Sequence, residues 1–253
     1  ITKSSANLLT LLSCRFDTDT SLVFIFLEVL AIATLKDNPI NEQIRCKEMM
    51  VIGPNGEQLG VKSKQDALTL AGYAGFDLVL MSDSGNMPVC KIMDYNKFKY
   101  EKKKKVLKDM FFKKEKITPY ILVICSVILY YGVSFLLKNI EFTGGTIIAL
   151  LSYIPWTILQ GGLEECGWRW YLQPKLKINS FVRKMIIISI IWFLWHIPIY
   201  RLPWITVGSS NYLIFYLMIL GNTFMFGTIK EKSKGVLPCV IAHMIIDSLA
   251  VLM

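Results

Sequence analysis

Hydrophobic and polar positions follow two different patterns on either side of Pro119. Between Lys36 and Lys116, short apolar runs alternate with polar turns, which is typical of a small soluble domain. After Pro119 the apolar runs are long and nearly unbroken. We therefore predict a small α/β (α+β) soluble domain followed by an all-α transmembrane helix bundle.

The soluble part carries signals for four strands, of which the first two form a hairpin, and for two helices. Asn55-Gly56 is a strong hairpin signal, because both turn positions tolerate a positive φ. Ser63 can cap a helix, and Asp94 precedes a basic helical run. In chain order the predicted elements are strand 49–52, a returning strand 59–61, helix 64–71, strand 77–81, strand 88–93 and a basic helix from Asp94.

The apolar part predicts about five membrane spans. A span needs about 20 predominantly apolar residues. The runs are 119–137, 146–163, 185–200, 212–229 and 236–253. Lysines and arginines concentrate in alternate loops between these runs, which is the positive-inside pattern. We therefore expect a multi-pass protein of the cytoplasmic (inner) membrane, with the soluble domain in the cytoplasm.

Residues 1–35 stay unassigned. The run from Ser21 to Leu35 is apolar except for Glu28, but it is short for a span. The pattern leaves three interpretations open: a buried or interfacial helix, a genuine span, or a segment that is not naturally translated structure.

The positive charge is concentrated in one region. The net charge is +9, and a dense basic run extends from Lys97 to Lys116. Such a run suits RNA, an anionic membrane surface or the cytoplasmic flank of a span. We assign residues 106–118 as a basic linker. The six cysteines form no CxxC pair, which indicates reduced thiols without a disulfide framework.

Ionisable side chains interrupt the apolar segments at three places. Glu164, Glu165 and Arg169 end the second run, while His196 lies in the third and His243 in the fifth. Each charge costs roughly 2.5–3.5 kcal/mol in hydrocarbon even on a lenient scale, so such residues usually have a function. Positions four apart share a helix face. On that rule Glu165 faces Arg169, and His243 faces Asp247.

Two kinds of chemistry fit this polar cluster. Glu164, His196 and His243 could ligate zinc or another divalent metal, since carboxylate and imidazole are zinc-type ligands. Alternatively, the same groups with Asp247 could activate water and stabilise an oxyanion. A structural interpretation also stays open, in which the histidines only hydrogen-bond within the bundle. Glu165 and Arg169 fit a supporting charge pair that fixes the helix.

The soluble part resembles the N-terminal domain of bacterial translation initiation factor three. The resemblance covers about 38–105 and is strongest in 88–101, the stretch PVCKIMDYNKFKYE. It implies binding to RNA of the small ribosomal subunit. Lysines interleaved with aromatic rings can pair with phosphates and stack on bases, although a solvated helix face gives the same pattern. The candidate RNA-binding residues are Tyr95, Lys97, Phe98, Lys99 and Tyr100.

The apolar part resembles the CPBP family, the CAAX-protease and bacteriocin-processing intramembrane endopeptidases. The resemblance covers about 141–253. It rests on EExxxR at 164–169, on an FxxxH-type motif at 192–196 with Trp192 in place of Phe, and on HxxxD at 243–247. It implies hydrolysis of peptide bonds in the membrane, with Glu164 as the base beside His243. His196 and Asp247 would stabilise the oxyanion or complete a metal site.

Together these patterns predict four regions and two alternative functions. The regions are 1–35, the initiation-factor-like domain 36–105, the linker 106–118 and the protease-like domain 119–253. The first function is an intramembrane endopeptidase acting on prenylated, leader-type or other membrane-associated peptides, with membrane lipid around it. The alternative is a fragment of a translation initiation factor that binds the small ribosomal subunit, either tethered to the membrane or as part of a non-functional composite chain.

Overall fold

The computed structural model describes residues 37–83, 85–137, 146–199 and 211–250. The apolar segment 1–35 lies outside the described residues. The described chain divides between Leu107 and Lys108 into two compact units. The sequence analysis placed the change from polar to apolar patterning at Pro119, and the predicted fold class of an α/β part followed by a helical part is confirmed.

The first unit is a four-stranded sheet with one helix packed on it. The sheet order is β2-β1-β4-β3, in which β1 and β4 are parallel and the other two pairs antiparallel. Its core contains buried side chains from the helix and three strands, including Met49, Ala67, Leu78 and Ile92. The elements are β1 (Glu48–Ile52), β2 (Gln58–Ser63), α1 (Lys64–Ala74), β3 (Asp77–Ser82) and β4 (Val89–Met93).

Local signals in the sequence correctly place the turns and caps of this unit. Gly56 has a φ of 90° in the turn between β1 and β2. The Ser63 hydroxyl accepts a hydrogen bond from the Asp66 N–H at 3.2 Å and so caps α1. Gly75 ends α1 with a left-handed φ of 67°, a conformation that costs glycine little.

The basic run forms a long helix, α2 (Tyr95–Phe111). Asp94 caps it, because its Oδ1 accepts a hydrogen bond from the Lys97 N–H at 3.0 Å. The segment 106–118 assigned as a linker therefore begins inside α2 and reaches the next helix.

The second unit is helical, and each predicted apolar run overlaps one helix. The helices Ile117–Leu136, Phe181–Ile199 and Tyr212–Lys232 are long and apolar enough to cross a membrane, whereas Ile147–Thr157 and Leu237–Leu249 are shorter. This agrees with the predicted fold class of a soluble domain followed by a helical membrane part. The helices are α3 (Ile117–Leu136), α4 (Ile147–Thr157), α5 (Phe181–Ile199), α6 (Tyr212–Lys232) and α7 (Leu237–Leu249).

Helix α3 exposes most of its apolar surface. Only 11% of its most apolar stretch is buried, and Ile124, Ile128 and Leu129 are among its exposed side chains. A contiguous apolar surface of this kind is unfavourable in water but is expected where a helix contacts lipid.

Candidate active site

The chain between α4 and α5 leaves regular α-helical geometry around the two glutamates. Pro155 lies inside α4, and π-helical turns follow at Ile158–Gly162 and Cys166–Leu172. Such turns are rare and recur at functional sites. Glu164 and Glu165 lie between them. Because adjacent helical residues point about 100° apart, these two carboxylates face different neighbours.

Glu165 is a buried carboxylate that contacts both Arg169 and His243. Its Oε2 accepts a hydrogen bond from the Arg169 Nε at 2.9 Å, and its Oε1 lies 3.0 Å from the His243 Nδ1. The Glu165 and Arg169 side chains are fully buried. The predicted Glu165–Arg169 pair is thus present, and it also holds the histidine of α7.

Glu164 is held by two indole groups. Its Oε2 accepts hydrogen bonds from the Trp192 Nε1 at 3.0 Å and from the Trp168 Nε1 at 3.3 Å. The two indole rings lie 6.0 Å apart. The sequence analysis assigned no hydrogen-bonding role to either tryptophan. Their position near the carboxylate motif was the available signal, because a buried indole N–H usually finds an acceptor.

The HxxxD motif of α7 contributes His243 and Asp247 to the cluster. The His243 Nε2 lies 3.6 Å from the Asp247 Oδ2, while its Nδ1 faces Glu165. The Phe226 ring stacks on the imidazole at a centroid distance of 4.9 Å. The structure therefore brings His243 against Glu165 and Asp247, and the ring of Trp192 lies next to both His243 and Glu164.

His196 and His243 lie next to the same aromatic ring, that of Trp192. Its Nδ1 donates to the Trp192 carbonyl oxygen at 2.8 Å. The Trp192 ring centroid is 5.7 Å from each of the two imidazole rings. Trp192 therefore contacts both histidines as well as Glu164.

The predicted metal site at Glu164, His196 and His243 stays a prediction. In the described parts of the chain, no three His, Cys, Asp or Glu side chains lie close enough together to hold a metal ion. The His196 Nδ1 donates to a backbone carbonyl and the His243 Nδ1 faces a carboxylate, which are also the contacts that metal-binding histidines usually make with their second ring nitrogen. The reaction proposed below has no step through a metal.

Two glycines let the glutamate segment approach α7 closely. A Cβ on Gly161 would lie 2.2 Å from the Asp247 Oδ2 and 3.0 Å from the His243 Nε2. A Cβ on Gly162 would lie 3.1 Å from the Val240 Cγ1. The sequence analysis gave these glycines no role, although a Gly-Gly pair directly before the glutamates was a possible signal of close helix packing.

Gly161→Ala is expected to separate the glutamate segment from α7. The added methyl group has no space beside Asp247, and such overpacking typically costs about 1–3 kcal/mol. We expect a lower thermal unfolding midpoint in detergent. Gly132→Ala is the matched control, because its Cβ would only touch Ile128 at 3.9 Å. Equal effects of both substitutions would contradict this role of Gly161.

The candidate RNA-binding residues divide between two faces of α2. Tyr95 and Phe98 are half-buried, with ring centroids 6.4 Å apart. Lys99 forms an ion pair with Asp37 at 2.9 Å, and this hydrogen bond lowers the pKa of the Asp37 carboxyl and raises the pKa of Lys99. Lys97 and Tyr100, three positions apart, are the exposed pair. An RNA backbone would therefore meet these two residues first.

Comparison with known proteins finds two different families in the two parts of the chain. Residues 40–108 match the family model "Translation initiation factor IF-3, N-terminal domain", and residues 146–249 match "Type II CAAX prenyl endopeptidase Rce1-like". Similar curated proteins include translation initiation factor IF-3 from Nitratidesulfovibrio vulgaris strains DP4 and Hildenborough. Each is 52% identical over 65 residues, which is 26% of this chain.

The match to these initiation factors is partial, since the chain covers 37% of their length. The second match contains all three motifs of the polar cluster, from Glu164 to Asp247. It is a match to a family of proteases, and it covers the helices α4 to α7. The chain thus joins a segment that matches the N-terminal domain of translation initiation factor IF-3 to a segment that matches the Rce1-like type II CAAX prenyl endopeptidases.

Proposed function

We propose that the second unit is a glutamate-dependent endopeptidase that hydrolyses peptide bonds of membrane-associated substrates. The observation that carries this proposal is the pair of adjacent carboxylates with divided roles. Glu164 is oriented by two indole N–H groups, while Glu165 anchors Arg169 and His243. A carboxylate held by neutral donors is suited to accept and return a proton.

In the proposed reaction Glu164 removes a proton from water as the water oxygen attacks the scissile carbonyl carbon. The C–O bond forms, and the carbonyl oxygen takes the negative charge. When the tetrahedral intermediate collapses, the C–N bond breaks and Glu164 returns the proton to the leaving amine. This is general acid–base catalysis by one carboxylate.

His243 and His196 stabilise the oxyanion in this proposal. The contact between the His243 Nδ1 and Glu165 fixes the imidazole orientation. Donors that are already in place cost no reorganisation when charge develops on the substrate. The His243 Nε2 lies 3.6 Å from the Asp247 Oδ2, beyond hydrogen-bond distance, so in this proposal it faces the oxyanion.

A cleavage assay with the full chain in proteoliposomes tests this function. We propose inner-membrane insertion with residues 37–107 on the cytoplasmic side, so the substrates are added there. The substrates are a farnesylated C-terminal peptide, its unprenylated counterpart and a leader-type peptide. Cleavage of none of them would contradict the proposal. An unchanged rate with 1,10-phenanthroline is expected, whereas loss of activity that zinc restores would assign a role to a metal.

A second candidate function is binding of the first unit to the small ribosomal subunit. The match at 52% identity to translation initiation factors and the exposed Lys97–Tyr100 pair favour it. Because the chain covers only 37% of the length of those relatives, the proposal concerns binding and not the whole activity of an initiation factor. If the wild-type chain neither cleaves peptides nor binds ribosomal subunits, both candidates fail.

Lys97→Glu with Tyr100→Ala is expected to weaken that binding. Reversing one phosphate-contacting charge should reduce the slope of log affinity against log salt by about one, and losing a stacking ring lowers the affinity about fivefold or more. Sedimentation of the full chain with small subunits at several salt concentrations measures both effects. Tyr73→Ala is the control, since Tyr73 is an exposed tyrosine on α1, outside the basic helix. Unchanged binding of the double variant would contradict the second candidate function.

A further inference from the structure

Helix α7, which carries His243 and Asp247, has no cap from its own sequence. Val236 occupies its N-cap position and provides no side-chain hydrogen bond. Its carbonyl accepts hydrogen bonds from the N–H groups of Cys239 and Val240 and so starts the first turn. The position of Val236 therefore sets where α7 begins.

A distant segment binds the backbone directly before this helix. The Val236 N–H donates to the Met110 carbonyl oxygen at 2.8 Å. The Glu115 carboxylate accepts from the Lys234 N–H at 2.9 Å with one oxygen and from the Gly235 N–H with the other. Three consecutive backbone donors are thus satisfied by a segment about 120 positions earlier in the chain.

The fit between these two segments is tight. The Met110 side chain is 1% exposed. A Cβ on Gly235 would lie 2.6 Å from the Met110 carbonyl oxygen, so only glycine allows this approach. The Lys230 Nζ donates to the Gly235 carbonyl oxygen at 2.7 Å, which holds the loop from the side of α6. All of these residues belong to the second compact unit.

We propose that Glu115 is a positioning residue that holds the turn directly before α7, a contact we call its external cap, and so fixes His243 against Glu165. Its carboxylate accepts from the N–H groups of Lys234 and Gly235, which precede the helix, and a negative charge near a helix N-terminus interacts favourably with the helix dipole. His243 lies six residues beyond Leu237, about 9 Å along the helix axis at 1.5 Å per residue. A shift at the start of α7 is carried along this rigid element to the imidazole. Only the effect on cleavage rests on the proposed function.

The test measures the order of α7 separately from activity. Cys239 lies in the first turn of α7 and is fully buried, and Cys166 is fully buried in the glutamate segment. N-Ethylmaleimide is added to the full chain in proteoliposomes, and the labelled cysteines are identified by mass spectrometry. In Glu115→Ala we expect Cys239 to be modified about 5–30 times faster, which is the usual effect of losing a cap, with Cys166 unchanged.

Two further variants complete the design. Glu115→Gln keeps the side-chain length and one carbonyl acceptor but places an NH₂ group against a backbone donor. It should increase Cys239 labelling less than alanine does. Asp109→Asn is the matched control, because it neutralises a carboxylate of the same segment that takes no part in the cap. It should leave labelling unchanged.

Cleavage kinetics provide the second readout. In Glu115→Ala, kcat should fall about fivefold or more with KM unchanged, because substrate binding is intact while His243 is displaced. Unchanged Cys239 labelling in both Glu115 variants would overturn the proposal, as would increased labelling with an unchanged kcat. If Glu115→Ala exposes both cysteines, that variant has unfolded. The Cys239 labelling of Glu115→Gln then decides whether Glu115 positions α7. If the wild type does not cleave, the labelling result still stands by itself.

Discussion

Glu164→Gln is expected to lower kcat for peptide cleavage by about 10²–10⁴-fold, the usual contribution of a general base. Glutamine has nearly the shape of glutamate, and its carbonyl oxygen can still accept the indole hydrogen bonds of Trp168 and Trp192. It cannot take a proton from water at neutral pH. The variant should therefore bind substrate with little change in KM and fail in the chemical step.

The measurement is the initial rate of cleavage of the farnesylated peptide at several substrate concentrations. Glu101→Gln, which changes an exposed carboxylate on α2, should cleave like the wild type. A Glu164→Gln variant that retains more than about a tenth of the wild-type kcat would exclude Glu164 as the base. In that case Glu165 would be the next carboxylate to test.

Arg169→Met is expected to destabilise the second unit by about 3–5 kcal/mol. Removing Arg169 leaves the buried Glu165 carboxylate with only its His243 contact in a medium of low dielectric constant. Arg169 is fully buried, and its guanidinium also lies 5.8 Å from the Trp192 ring and 5.9 Å from the Phe226 ring. Methionine restores much of the volume but none of the charge.

A double variant separates the charge effect from packing. Glu165→Gln combined with Arg169→Met removes both charges and should be less destabilised than Arg169→Met alone. Unfolding in detergent, followed by circular dichroism, measures the difference. Arg183→Met at the exposed start of α5 is the control and should change stability little. Equal stability of Arg169→Met and the wild type would mean that the pair is not needed for folding.

The parts of the fold that depend on residues close together in the sequence could be predicted from it. The turn at Gly56, the cap at Ser63 and the apolar runs that became α3, α5 and α6 are all set within a few residues. The Glu165–Arg169 pair is predictable for the same reason, since positions four apart meet on any helix.

The partner of His243 could not be predicted in this way. The sequence analysis named no hydrogen-bond partner for this imidazole among the two glutamates, and the structure shows that the Nδ1 contacts Glu165. Which carboxylate meets the imidazole depends on the rotation of one helix about its axis relative to another. Local periodicity carries no information about that rotation.

The sequence by itself determined that one chain holds a small α/β domain, a set of apolar helices and three polar motifs in a fixed order. Only the tertiary structure decided that Trp168 and Trp192 orient Glu164, that Gly161 permits the approach of α7, and that Glu115 caps that helix from outside. The physical reason is the range of the interactions. Patterns within a helix or turn are fixed by short-range sterics and hydrogen bonds, whereas contacts between distant segments depend on how whole elements pack.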